Sequence, residues 1–331
     1  MGSEAQYFSK DFDWEQLRLE IESDPSLRYH LNPSTLAPPP QDSDAWNRFH
    51  IRHSTGKFFK VRIPFLPEPI AISSHIFNKG SRKWQERRYL MKEFPELLSC
   101  QNAKLLEVGC GNGSTALPIL RDQEHITVYA CDCSSEALER ASDVIEAAKI
   151  NSVRDRFYTF LCDFSVTGFP KWIFCDFCRK SFPLQCQVAT GAGVRSNDIQ
   201  TLTNRDLCIG GVDFVTLIFT LSAVPQDNML IAIRGCFNAL KPGGLIFFRD
   251  YGLYDMTMLR FDSSQKVGAR EYMRSDGTLS YFFCLDTVRK LFTDAGFKEL
   301  ELEYCCVNSV NRRKGKSMRR VWVHGKFQKT H

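Results

Sequence analysis

Leu105 to Gly113 reads LLEVGCGNG, an apolar run that ends in glycines at three alternate positions. A run of this kind delivers a buried strand to a turn. Gly109, Gly111 and Gly113 can adopt backbone angles there, and admit a ligand close to the chain, where a Cβ would block both. A second apolar run, ITVYACD, closes on Asp132, 19 residues after the last of these glycines. A carboxylate at the end of the next strand is placed to meet the two hydroxyls of a ribose. The pairing therefore reads as a nucleoside-binding device on an α/β, doubly wound sheet.

The spacing narrows the nucleoside. A dinucleotide fingerprint places glycine at the first, third and sixth positions, and Ser114 occupies the sixth here. That disfavours nicotinamide. A third run, RFYTFLCDF, ends in Asp163 and Phe164. They supply an acceptor for an exocyclic adenine amine and an apolar surface for the ring. Three strand ends reading Gly, Asp, Asp suit S-adenosylmethionine as cofactor.

From Lys104 onward the pattern is regular. KLLEVG, ITVYACD, RFYTFLCD, DFVTLIF and GGLIFFRD are near-continuous apolar runs, as expected of strands covered on both faces of a parallel sheet. Helical stretches separate them. Ser134 to Lys149 is the clearest, with Glu136, Glu139, Asp143 and Glu146 forming a solvated face. Residues 165–211 break the rhythm with Pro170, Pro183, Gly191 and Gly193, and read as a loop insertion. Asp276-Gly277 within SDGTLSYFF signals a hairpin. KELELEYCCV and RRVWVHGKF close the sheet as its last two strands, the final one antiparallel.

The chain divides into an N-terminal extension, 1–100, and a catalytic domain, 101–331. The extension begins with a helical pattern, DWEQLRLEIE, passes a linker with Pro33, Pro38, Pro39 and Pro40, and continues as AWNRFHIRHSTGKFFK. Trp46, Phe49, Arg52, Phe58, Phe59 and Lys60 combine aromatic and cationic side chains in a manner suited to stacking and phosphate contact.

At 331 residues and 43% hydrophobic content the chain supports a large core, and a net charge of +5 by itself decides nothing about partners. Distribution is more informative. NRRKGKSMRR, Asn311 to Arg320, holds six cations and no acid. As the link between the last two strands it belongs on the sheet edge where ligands bind. Arg312, Arg313, Lys314, Lys316, Arg319 and Arg320 are thus candidates for phosphate contact.

Thirteen scattered cysteines, several in strand-like runs, point to a reducing compartment. MGSEAQYFSK lacks an apolar signal core, and Gln6 stands where a myristoylation pattern wants Ser or Thr, so no membrane attachment is expected. Cys175 and Cys178 form a lone CxxC, with Cys186 and Cys208 too widely spaced for the usual zinc set; no metal is expected.

At the end of the fifth strand, RDYG offers three candidate catalytic groups. Asp250 would stabilise a positive charge developing on a substrate, Tyr251 would stack, and Arg249 would bind phosphate or hold a carboxylate.

LEVGCGNG, ACDCSSEAL, LCDF, DFVTLIFTLSAVPQDNM, LKPGGLIFFRDYGLYDMTMLRF, YMRSDGTLSYFF and RRVWVHGKF together resemble the tRNA 3-methylcytidine methyltransferases of the methyltransferase-like group. The likeness covers most of the chain beyond Lys104 apart from 165–211. FRDYGLYDMTMLRF is its most specific part, and AWNRFHIRHSTGKFF is similar to the family's aromatic N-terminal motif. The resemblance implies a class I, Rossmann-like methyltransferase fold with seven strands, which uses S-adenosylmethionine to form N3-methylcytidine in the tRNA anticodon loop. It further implies cytidine 32 of serine or threonine tRNAs as target, a seryl-type synthetase as helper in some members, a monomer, and a cytoplasmic setting with the nucleus as a second compartment.

Carried over by motif, the cofactor contacts are Gly109, Gly111, Asp132, Asp163, Phe164 and Ile218, with Trp46 and His50 closing from the arm. His50 departs from the family's usual tyrosine. So do residues 61–85, which intervene before ERRYLMKEFPEL with Pro64, Pro67 and Pro69, as a lineage-specific loop or retained intron sequence. Two other function classes are compatible with the glycine turn: methylation of a small molecule or protein side chain, and a cofactor-binding partner subunit without chemistry of its own.

Overall fold

The computed structural model describes residues 10–32, 44–52, 87–150, 152–174, 208–311 and 316–330, with only the backbone at 310, 311 and 316. Parallel strands β1 (Lys104–Val108), β2 (Thr127–Asp132), β3 (Phe157–Leu161), β4 (Val212–Ile218) and β5 (Leu240–Tyr251) form most of the main sheet. A small antiparallel sheet of β6 (Lys266–Gly268), β7 (Glu271–Met273) and β8 (Leu279–Tyr281) follows. The chain then returns to the main sheet as β9 (Phe297–Asn311) and β10 (Lys316–Lys329), giving seven strands in the order β3-β2-β1-β4-β5-β10-β9. β10 is antiparallel to both neighbours, as expected of the closing strand.

Alternation along each strand loads both faces. Leu105 and Phe247 pack on one side with Leu117, Val128 and Ile145, while Leu106 and Phe248 pack on the other with Ile233, Val288 and Phe292. Helices α1 (Trp14–Ser23), α2 (Ala45–Arg52), α3 (Leu90–Glu93), α4 (Glu96–Ser99), α5 (Ala116–Asp122), α6 (Ser135–Ala147), α7 (Gln226–Ala239) and α8 (Leu285–Asp294) supply the layers. Ser134 caps α6 by accepting the Ala137 N–H, where the acidic helical pattern begins.

Packing carries the core upstream of residue 100. Leu90, Phe94 and Leu97 are buried in the same cluster as Leu105 and Phe247. α1 buries Leu17 and Ile21 against Tyr254, Met258 and Val321. The insertion is closed at its base, because Ile209 N–H donates to Trp172 O and Gly211 N–H to Ile173 O, each at 2.8 Å. Cys175, Cys178 and Cys186 lie outside the described residues. Among the described ones, no group of ligands that could hold a metal is present, and no helix is long and apolar enough to cross a membrane.

The Asp276-Gly277 hairpin forms between β7 and β8, with Gly277 at φ +85°. β9 and β10 are longer than their apolar cores predict. Trp322 pairs with Tyr251 at the end of β5, and residues 316–321 continue the ladder with β9 beyond it. The hairpin therefore projects past the carboxyl edge of the sheet.

Candidate active site

The carboxyl ends of β1, β2 and β4, with the turn beyond β3, surround one cleft of about 880 Å³ of empty space, part of it open to solvent. At its floor the glycine turn is shaped by steric necessity. Gly109 sits at φ +67°, and a Cβ there would come within 2.3 Å of Thr220 Cγ2. Thr220 in turn donates its hydroxyl to Val108 O at 3.1 Å and wraps the turn from the β4 side. Gly111, at φ +54°, is open on the cleft side, where among the described residues only His50 Cε1 lies within 4 Å of where a Cβ would sit.

Asp132 holds this turn in place. Its Oδ2 accepts the Gly111 N–H at 2.9 Å and its Oδ1 the Ser134 N–H at 3.0 Å. Each oxygen keeps a second lone pair, and Asp132 lines the cleft, so ribose hydroxyls have acceptors already oriented. Asp163 is arranged the same way, with Oδ1 accepting from Ser165 N–H at 3.2 Å and Ser165 Oγ at 2.7 Å. Phe164 is braced by Phe169, ring centroids 5.9 Å apart and nearly parallel, and presents an apolar wall beside it.

The arm closes the cleft from above. α2 docks on the α6 N-terminus, where Asn47 Oδ1 accepts the Ser134 hydroxyl at 3.0 Å. Trp46 and His50 line the cleft, His50 being buried. Gly109, Gly111, Asp132, Asp163, Phe164, Ile218, Trp46 and His50 thus come together around one space. The donor set fits an adenosyl group: carboxylates for ribose and amine, a braced ring for the base, and a glycine cradle that a Cβ would fill.

Two residues of the cleft had not been singled out in the sequence. Arg87 is its cation, with long contacts of 3.4 Å to Ile218 O and Thr115 Oγ1. Phe219 follows Ile218 with φ +55°, a left-handed backbone that is uncommon outside glycine. Its ring lies 5.3 Å from the Arg87 guanidinium carbon and 5.2 Å from the Tyr251 ring. The signal for Phe219 was its place as the aromatic end of DFVTLIF. For Arg87 there was only its proximity to the arm.

The RDYG reading needs correction. Asp250 is fully buried and does not line the cleft. Its oxygens accept the Ser222 N–H at 2.9 Å and the Tyr251 N–H at 2.8 Å, so it fastens the turn after β4. Burial pushes its carboxyl up to about 6, against the pull of those bonds toward the ionised form. Arg249 is buried too, donating to Glu93 and lying between Tyr89 and Trp322, 5.0 and 4.6 Å from their ring centroids. Of the two roles expected of it, it holds a carboxylate, that of Glu93, and is not placed for a phosphate. Tyr251 is half-buried against Phe219 and Phe282.

Of the cationic candidates, Arg320 also needs correction, because its guanidinium is committed to the buried Asp255 at 2.8 Å and to Thr257. Arg319 stays exposed and pairs with Glu20 at 2.6 Å. Arg52 is exposed at the end of α2. Lys60, Arg312, Arg313 and Lys314 lie outside the described residues, and of Lys316 only the backbone is described.

Glu107 lies buried beneath the glycine turn. Burial pushes its carboxyl up to about 8, opposed by Arg87, and among the described residues Oε2 has no hydrogen-bond partner. Burial likewise raises the thiols of Cys110, Cys131 and Cys162, which disfavours the nucleophilic thiolate.

Strand order, glycine turn and acidic strand ends define a class I methyltransferase that uses S-adenosylmethionine. The family model described as Methyltransferase domain matches residues 83–302. A crystal structure of an S-adenosylmethionine-dependent methyltransferase from Anabaena variabilis shares the fold, with a TM-score of 0.52 at 12% identity over 89% of this chain and 98% of that one. Human tRNA N(3)-cytidine methyltransferase METTL6 is 36% identical over 257 residues, 74% of this chain and 75% of that protein. Human METTL2B, of the same activity by name, is 36% identical over 241 residues, 72% of this chain and 52% of its own length. The chain belongs to the tRNA N(3)-cytidine methyltransferase family.

Proposed function

We propose that this chain transfers the methyl group of S-adenosylmethionine to N3 of a cytidine in tRNA. The observation that carries this reading is the 36% identity to human METTL6 over three quarters of both chains. The bound cofactor supplies an electrophilic methyl group on a sulfonium. Gly109 and Gly111 would admit its amino-acid portion, Asp132 would hold the ribose, and Asp163 with Phe164 the adenine. Arg87, the cation beside Ser114, suits its carboxylate.

Cytosine N3 carries an in-plane lone pair and no proton at neutral pH, so attack needs no general base. The demand on the protein is positioning, worth about 7–11 kcal/mol in the best intramolecular cases. Phe219 is a half-buried aromatic side chain lining the cleft, and its face suits both stacking and the positive charge that methylation places on the base. The N3 edge is reachable only in an unpaired or everted nucleotide, which supports an anticodon-loop target.

Finer points rest on the family resemblance: cytidine 32 of serine or threonine tRNAs, a seryl-type synthetase as helper, a monomeric enzyme, and residence in cytoplasm and nucleus. The organisation into an RNA-binding, cofactor-closing extension (1–100) and a catalytic domain (101–331) belongs with them. The test is to incubate purified protein with labelled donor and individual tRNA transcripts, with and without the synthetase, and digest the RNA to nucleosides for mass spectrometry. Appearance of 3-methylcytidine is expected. Methyl transfer only to another atom, or to small molecules or protein and never to tRNA, overturns the reading.

A further inference from the structure

Arg249 is joined to both sides of the cleft, though it does not line it. Its backbone carbonyl accepts the Phe219 N–H at 2.7 Å, at the residue whose backbone is left-handed. Its guanidinium donates to Glu93, itself fully buried. Glu93 ends α3, a short turn whose Leu90 N–H bonds to Arg87 O at 3.0 Å. The turn begins with Arg87 N–H bonded to Ser114 O at 2.9 Å. Glu93 is also held by His324 Nδ1 at 3.0 Å, and His324 pairs with Arg249 across β5 and β10.

We propose that Arg249, paired with Glu93, is a positioning residue that holds the Arg87 side and the Phe219 side of the cleft in register. This rests on the reading that the donor's carboxylate meets Arg87 and the acceptor base meets Phe219. Such a clamp sets the line between methyl donor and acceptor without contacting either, and an error of about 1 Å from a remote change can cost about a hundredfold in rate. Burying the pair is costly, and removing one partner leaves an uncompensated charge in the core. A chain needing only stability there could use apolar side chains of the same volume. The carbonyl and guanidinium of one residue instead reach two different functional segments.

Glu93→Gln and Arg249→Lys are the conservative variants. Each is expected to lower kcat for tRNA methylation by about tenfold to a hundredfold, with KM for tRNA and the affinity for S-adenosylhomocysteine, measured by calorimetry, within about threefold of wild type. A kcat within about threefold of wild type, or a loss of S-adenosylhomocysteine affinity matching the loss in kcat, overturns the clamp.

If a single variant does not fold, Glu93→Met with Arg249→Met removes both buried charges and is put to the same measurements. A readout independent of transfer is amide exchange. In Glu93→Gln, exchange should rise in residues 218–224, across the cleft from the substitution, and stay unchanged in 127–132. Unchanged exchange in 218–224 counts against the clamp even where wild-type protein methylates no tRNA, an outcome that would refute the function and leave the clamp to be judged by exchange alone.

Discussion

Two carboxylates close strands on the same edge of the sheet, Asp132 after β2 and Asp250 near the end of β5, and each accepts two backbone N–H groups. Asp132 does so at the wall of the cleft, with lone pairs to spare for a ligand. Asp250 does so with no exposure at all, and its bonds fasten the turn that carries Ser222. One shapes the turn and faces the cleft; the other shapes a turn out of reach of it. What separates them is the side of the strand end on which the ligand space opens, and the number of N–H donors each carboxylate satisfies does not reveal that.

The sharpest way to break this contrast is to neutralise each in turn. Asp132→Asn should weaken S-adenosylhomocysteine binding by about 2 kcal/mol, roughly thirtyfold, because the hydroxyl bonds lose their charged acceptor. Calorimetry reads it directly. A value within about threefold of wild type would remove the ribose contact from Asp132.

Asp250→Asn should do the reverse. One backbone N–H loses its acceptor, at a cost of about 2 kcal/mol, which for a chain of this size lowers Tm by roughly 3 °C. S-adenosylhomocysteine affinity should change by less than about threefold. If the variant melts like wild type but no longer transfers methyl groups, Asp250 belongs to the chemistry after all and the contrast fails.

How much of this was legible in the sequence follows from what leaves a mark there. A turn at positive φ demands glycine, so Gly109 and Gly111 announce themselves, and the strand end at βα spacing announces Asp132. Near-continuous apolar runs announce a sheet covered on both faces. Nothing in RDYG tells which neighbour Arg249 and Asp250 will each meet. The Arg249 partner is Glu93, 156 positions away in the chain and on a helix of four residues with no period to read. The cationic link at 311–320 resolved only in part: Arg320 turned inward to Asp255, a residue that no local pattern connects to it.

Phe219 sharpens the contrast from the substrate side, since it lines the cleft while its N–H is held by the carbonyl of Arg249, the residue before Asp250. Phe219→Leu keeps most of the packing against Tyr251 and Trp322 but removes the π face. Stacking of a base on an aromatic ring is worth about 1–3 kcal/mol, so kcat/KM for tRNA should fall by roughly tenfold or more, with S-adenosylhomocysteine affinity preserved. An equal loss in both would make Phe219 a cofactor contact instead of the wall for the acceptor base.

The smallest effect concerns Glu107, beneath the glycine turn, whose carboxyl burial raises from an ordinary 4.5 to about 8. An unfolded chain releases this proton near 4.5, whereas the folded chain holds it to about 8. The folded state therefore binds more protons through that window, and the stability this group contributes is complete below the lower value and is lost as pH rises to the upper one. Glu107→Gln carries no such proton. Its Tm relative to wild type should climb between pH 5 and pH 8 and level off above, as measured by melting both proteins across that range. Parallel curves would mean that Glu107 is ionised in the folded protein, in which case the polar groups under the turn must stabilise a second negative charge beside Asp132. That would make the glycine turn, and not only the end of β5, a place where a carboxylate serves the scaffold first.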